Sequence, residues 1–271
     1  MTGGASVPSL ELEVVRHAVS MGEQGPAKTG GRIVYAIGDV HGCYELLTAL
    51  LKAIVADAAA LAAAELPLLI FIGDYVDRGP RSAEVLSALV WLSRHAAVEV
   101  VFLRGNHEAM LFAFLEEPFT ALPWLQHGGA ETLESYGVFV PDKDIAENCW
   151  RLRNEFMDRL PASHLEFLRD LSTQVICGDY VFVHAGLRPG VRLARQKVED
   201  LLWIRDDFLD REYKFEKIVV HGHTWTDDKP EITPYRIGID TGAYATGTLT
   251  AVRLSDSSVE FFQTRTRRVG N

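Results

Sequence analysis

The chain has 271 residues, 48% of them hydrophobic, enough to bury a sizeable core in one large domain or two small ones. Its formal net charge of −10 argues against broad nucleic-acid binding, which rests on basic surface. The longest apolar region, Ala58 to Ile72, is broken by Glu65 and Pro67 and falls short of the ~18 apolar residues a membrane helix needs.

The opening MTGGASVPSLELEVV carries no basic or apolar targeting region, and the three cysteines, Cys43, Cys149 and Cys177, form no CxxC. These features predict a cytoplasmic protein with free thiols and no membrane partner. Residues 1–30 read as a flexible N-terminal tail, rich in glycine and small polar residues from Met21 to Gly31, with a short helix over Leu10 to Val19.

The folded domain, residues 31–271, opens with a strand at Arg32 to Ile37 that ends in Gly38-Asp39-Val40-His41-Gly42. Leu46, Leu50 and Ile54, with Leu47, Leu51 and Val55 beside them, form one apolar helical stripe, which the alanines 58–64 extend and Pro67 closes. A second strand, Leu68 to Ile72, ends in Gly73-Asp74, and Asp77-Arg78 follow. Ser82 suits the N-cap of a helix to His95, and a third strand, Val98 to Leu103, ends in Arg104-Gly105-Asn106-His107-Glu108. Strands alternating with helices imply a parallel sheet whose strands are apolar because both faces are covered.

From 109 to about 171 the pattern is helical: 109–116, 124–136, 145–160, and a segment to Leu171 opened by a Ser163/Glu166 capping box. Gly128-Gly129 after His127 reads as a turn within this insertion. A hairpin around Gly178-Asp179 then leads to His184, and a strand from Lys217 to Val220 leads to His221-Gly222-His223-Thr224. The last segments, 235–239, 247–254 and 259–264, read as antiparallel strands of a second sheet.

Asp39, His41, Asp74, Asn106, His107, His184, His221 and His223 all follow strand tips, where α/β folds gather their ligands. Carboxylate, imidazole and amide oxygen together suit two transition metals of borderline hardness; thiolates would have pointed to structural zinc, and all-oxygen ligation to magnesium or calcium. His221 and His223, two apart in an extended stretch, can both face such a centre.

GDVHG (38–42), GDYVDRG (73–79), GNHE (105–108), HAG (184–186) and GHT (222–224) resemble, in order, the phosphoprotein phosphatase branch of the calcineurin-like metallophosphoesterases. Within that branch the bacterial and phage-type serine/threonine enzymes are the nearest match. The resemblance implies an α/β fold, an αββα sandwich of two mixed β-sheets flanked by helices, with the insertion beside the active site. It also implies two divalent transition metal ions, manganese first, iron or zinc as alternatives. On that pattern Asp39 and His41 bind one metal, Asp74 bridges, and Asn106, His184 and His223 bind the other. Arg78, Arg205 and Asn106 meet the substrate phosphate, and His107, oriented by Asp77, is the general acid.

The implied function is phosphoprotein hydrolysis by in-line attack of a metal-bridging hydroxide, with a phosphorylated protein or peptide as partner and no nucleic acid. The VDRG and GHT segments support that reading. Two alternatives stand beside it: a hydrolase of dinucleoside polyphosphates or other small phosphate compounds, and a scaffold that has lost catalysis.

Overall fold

The computed structural model describes residues 10–19, 27–61, 66–211 and 213–268. Strands β1 (Leu10–Val19), β2 (Val34–Ile37), β3 (Leu68–Phe71), β4 (Glu99–Phe102), β10 (Thr248–Leu254) and β11 (Val259–Arg268) form a six-stranded sheet in the order β1-β11-β10-β2-β3-β4. The βαβα run gives the parallel core β2-β3-β4, linked through helices α1 (Tyr44–Ala60) and α2 (Ser82–His95). The second sheet takes β5 (Gln174–Cys177), β6 (Tyr180–Val183), β7 (Ile218–His221), β9 (Arg236–Gly238) and β8 (Glu231–Ile232), in that order.

The period-2 alternation of each buried strand sorts its side chains between two layers. Val34 and Ala36 of β2, and Leu68 and Ile70 of β3, face the second sheet and meet Tyr180, Phe182 and Val220. Tyr35, Ile37, Leu69 and Phe71 face the other way, onto Leu46, Leu50 and Val85 of the helices. Val181 and Val183 of β6 look outward onto Leu201 of α7 (Val198–Trp203) and Phe208 of α8 (Asp206–Leu209). Helix, sheet, sheet, helix is the resulting order, as the resemblance implied. Each fully buried aliphatic or aromatic side chain contributes about 1.5–3 kcal/mol.

Several expectations are corrected. Leu10–Val19 is an edge strand paired antiparallel with β11, neither helix nor tail. LELEV alternates with the strand period, and Val14, Val15 and Val19 prefer extended backbone. Of the remainder expected in the tail, 1–9 and 20–26 lie outside the described residues, as do 62–64 of the alanine run. The closing strands split between the sheets: β9 lies parallel to β7 in the second, whereas β10 and β11 extend the first. β4 is only half covered because it is an edge, so burial on both faces holds for β2 and β3 alone of the parallel three.

The insertion is helical, with α3 (Asn106–Glu116), a π-turn (Leu125–Gly129), α4 (Ala130–Ser135), α5 (Ile145–Arg159) and α6 (Ala162–Arg169). Neither expected cap forms: α2 begins after Arg81 and α6 after Pro161. Pro161 presets the entry to α6, and the Ser82 hydroxyl is used elsewhere. The chain does turn at Gly128, whose φ of 109° breaks the helical run, and the Gly128-Gly129 pair is closely packed as well. A Cβ on Gly128 would lie 2.4 Å from the Arg78 backbone nitrogen, and one on Gly129 would meet the Trp124 ring.

Candidate metal centre

Five chain segments deliver the site. Asp39 and His41 follow β2, Asp74 follows β3, Asn106 and His107 open α3 after β4, His184 follows β6, and His223 follows β7. His41, Asp74, Asp77, Arg78 and His223 have positive φ, between 44° and 73°. Asp144 alone among the other described non-glycine residues does so. Backbone strain is thus concentrated at the site, where the surrounding structure must hold it. Two glycines admit the carboxylates: a Cβ on Gly222 or Gly105 would lie 2.0 Å from Asp39 Oδ1 or Asp74 Oδ1.

The imidazoles are aimed from behind. His41 Nδ1 donates to Val76 O at 2.8 Å and His184 Nδ1 to Ile72 O at 2.9 Å, so each turns its Nε2 lone pair inward. Asp74 Oδ2 lies 3.5 Å from both of those Nε2 atoms. Asn106 Oδ1, as oriented, lies 2.8 Å from His184 Nε2 and 2.9 Å from His223 Nδ1. Burial holds the His41 imidazole down to about 4 and His223 to about 3, and lowers His184, so all three stay neutral and could serve as ligands. Burial pushes the Asp74 carboxyl up, but the four surrounding imidazoles, His184 first, bring it well below the usual carboxylate range.

Two groups of convergent ligand atoms result, one from His41, Asp74 and His107, the other from Asp74, His184 and His223, each within 4.8 Å. Asp74 belongs to both. Asp39 belongs to neither: its Oδ2 accepts the His223 backbone N–H at 2.9 Å, and its Oδ1 is buried with no partner among the described residues. A buried orphan carboxylate oxygen beside neutral nitrogen donors is a set that fits divalent metal ions.

His107 Nδ1 donates to Asp77 Oδ2 at 2.6 Å, leaving Nε2 toward the site, 4.0 Å from Asp74 Oδ2. Burial pulls its pKa down, but Asp74 and Asp77 raise it to about 9, so it is protonated near neutral pH. Asp77 is itself held by Trp124 Nε1 at 2.7 Å and by the Thr132 hydroxyl at 2.6 Å, while its backbone N–H donates to the Thr132 and Ser82 hydroxyls. Glu108 accepts four backbone N–H groups, from Asp74, Tyr75 and Gly105 at 2.7–2.9 Å and from Val76 at 3.4 Å. Among the described residues Arg78 makes no ion pair, and it lies 5.5 Å from the Tyr244 ring centre. Arg205 Nε donates to His223 Nε2 at 3.1 Å, in place of a bond to Asp206 or Asp207.

His221 is not brought in. Its Nδ1 donates to Gly222 O, its ring packs edge-on against Phe208, and it joins neither ligand group. The alternation that would have paired it with His223 ends at β7, because His223 turns to φ 66°. His127 lies on the exposed side of the π-turn. Thr132, Trp124 and Asp240 carry no local signal of their roles. Asp240, buried, accepts the Gly242 backbone N–H at 2.9 Å, and burial together with the Asp74 charge pushes it up to about 7.

Residues 33–244 match the family model described as calcineurin-like phosphoesterase. The bis(5'-nucleosyl)-tetraphosphatase PrpE [asymmetrical] of Geobacillus sp. (strain WCH70) is 28% identical over 238 residues, covering 80% of this chain and 88% of the relative. The protein of the same name from Bacillus mycoides (strain KBAB4) is 27% identical over 236 residues, with the same coverage. Among solved structures, one assigned as a diadenosine tetraphosphatase superposes with a TM-score of 0.57 at 20% identity, covering 90% of this chain and 97% of that one. A mutant of a cold-active protein tyrosine phosphatase superposes at 0.51, also 20% identical, covering 86% and 80%.

Proposed function

This chain belongs to the calcineurin-like phosphoesterase family, and on that premise we propose that it is a two-metal hydrolase of dinucleoside polyphosphates. The observation that carries the metal-dependent chemistry is the pair of ligand groups sharing Asp74, with the orphan Asp39 oxygen beside them. His41, Asp74 and Asp39 would hold one ion, and Asp74, Asn106, His184 and His223 the other. Bound there, two divalent metals supply Lewis acidity and a nucleophilic water at neutral pH.

The protein's own groups divide the remaining work. Arg78, with no ion pair among the described residues, and Arg205 would fork onto the phosphate oxygens. His107 would give its Nε2 proton to the departing oxygen, with Asp77 fixing the ring through Nδ1. Asp77, Arg78 and His107 would serve an anhydride and a phosphomonoester alike, so the two motifs containing them do not choose between substrates.

The nucleotide substrate is supported by the named relatives, which favour it over a phosphoprotein. It is supported too by exposed aromatic faces beside the ligand set. The Trp203 ring lies 6.4 Å from that of His223, and the Tyr244 ring 5.2 Å from that of His41, so a base could stack near either ligand group. The test is turnover of diadenosine tetraphosphate against a phosphoserine peptide by the manganese-loaded protein. A kcat/KM at least about tenfold higher for the dinucleotide is expected. A preference for the peptide would return the assignment to the phosphoprotein phosphatases.

A further inference from the structure

Away from the metal centre, α3, α5 and α6 enclose a cleft of about 610 Å³, in the size range of small-molecule sites. Its charged lining is Arg104, Arg153 and Arg169 against Glu116, and Phe112 and Met157 give it an apolar wall. Three cations and one anion leave a net charge of +2 in a protein whose formal net charge is −10. None of the metal-site residues lines it.

The three arginines are unlike those that hold the fold together. Arg16, Arg188 and Arg253 each take two carboxylates. Among the described residues, Arg104, Arg153 and Arg169 pair with none. Arg104 Nη2 donates only to Arg169 O at 3.3 Å, and its Nε is buried with no partner. Arg153 spends Nε on Leu115 O and Nη1 on Asn154, leaving Nη2 open. A buried guanidinium N–H without an acceptor is costly unless a ligand supplies one.

We propose that this cleft is a second anion site, which takes a phosphate dianion or the phosphoryl group of a small ligand, separate from the catalytic centre. A dianion matches the net charge of +2, which a single carboxylate does not. The planar guanidinium fork suits two oxygens of a tetrahedral phosphate, and Arg104 Nε–H would find its missing acceptor there. The site also has a mechanical link to catalysis. Arg104 N–H is fixed to Ser172 O at 2.7 Å, and the next three residues are Gly105, Asn106 and His107.

The test is a site-resolved titration of the zinc-loaded full chain with inorganic phosphate, following the arginine Nε–H resonances by ¹H–¹⁵N NMR. Assignment by single Arg→Lys variants separates Arg104 from Arg78 and Arg205. The Arg104 resonance should shift saturably with phosphate and not with sodium chloride at matched ionic strength. In the Arg153→Gln/Arg169→Gln variant, whose changes lie on half-exposed or exposed helix positions, the phosphate midpoint of that shift should rise at least about tenfold. Movement of Arg78 and Arg205 alone, an equal response to chloride, or an unchanged midpoint in the double variant would each overturn the proposal.

Discussion

The molecule contains two buried polar clusters that look alike by composition and differ in what they leave unsatisfied. At one, Asp57 on α1 receives the Tyr35 hydroxyl at 2.6 Å, Arg253 at 2.7 Å and Arg16 at 2.5 Å, while Glu260 takes the same two arginines. Anion and cation alternate, and every Asp57 oxygen has donors. At the other, acceptors face acceptors: the Asn106 oxygen meets the His184 lone pair, Asp74 Oδ2 sits between two inward Nε2 atoms, and Asp39 Oδ1 has nothing. The first cluster is complete and pins the edge strand β1 to the core. The second leaves its acceptors without donors, the arrangement expected of a cation site. Convergent, unpartnered acceptors distinguish a site from structural glue; burial and charge alone do not.

That contrast can be broken at four points, in decreasing order of effect. Asp74→Asn should lower turnover by about 10⁴-fold or more, the scale of removing an essential catalytic group. Elemental analysis should show metal lost in parallel, because both ligand groups share this carboxylate. His107→Asn should cost about 10²–10⁴ in kcat while the metal content holds. Loss of metal with activity per bound ion preserved would move His107 into the ligand set, where its distance to His41 and Asp74 also allows it.

Asp57→Asn should do the opposite of Asp74→Asn. Breaking this buried pair is expected to cost about 3–5 kcal/mol in denaturant unfolding, with activity per folded molecule unchanged. Burial raises the Asp57 pKa, but the Tyr35 and Arg253 hydrogen bonds more than offset it, so the folded carboxyl titrates below its unfolded value. Its contribution is therefore full above the unfolded value near 3.9 and fades as pH falls through the folded one. The gap between wild type and Asp57→Asn should close in acid, and a gap that persists there would mean the carboxylate was not the stabilising species. Thr132→Val should have the smallest effect, leaving Asp77 short of two hydrogen bonds at roughly 1–3 kcal/mol. Its signature is lower kcat with unchanged metal content.

The two clusters also differ in how visible they were in the sequence. The centre was legible because each ligand sits at a local punctuation mark, an apolar run ending in glycine and a polar side chain, five times over. The Asp57 cluster joins residues as far apart as Arg16 and Glu260, and no short window contains that pairing. The same reason hid Thr132 and Trp124, which reach Asp77 across 55 and 47 residues. β1 was misread because ten residues fit a helix or a strand until β11 supplies the partner. The sequence left His221 open beside His223 because alternation holds only while the backbone stays extended, and it turns at His223. Within the family, the substrate was beyond the motifs, since the phosphate-handling roles proposed for their residues would serve both chemistries alike.

The central claim, that Asp74 joins two cation sites, is met most directly by anomalous diffraction from crystals of the full chain grown with manganese. Two peaks are predicted on either side of Asp74 Oδ2, one beside His41 and Asp39, the other beside Asn106, His184 and His223. A single peak, or density away from Asp74, would contradict it.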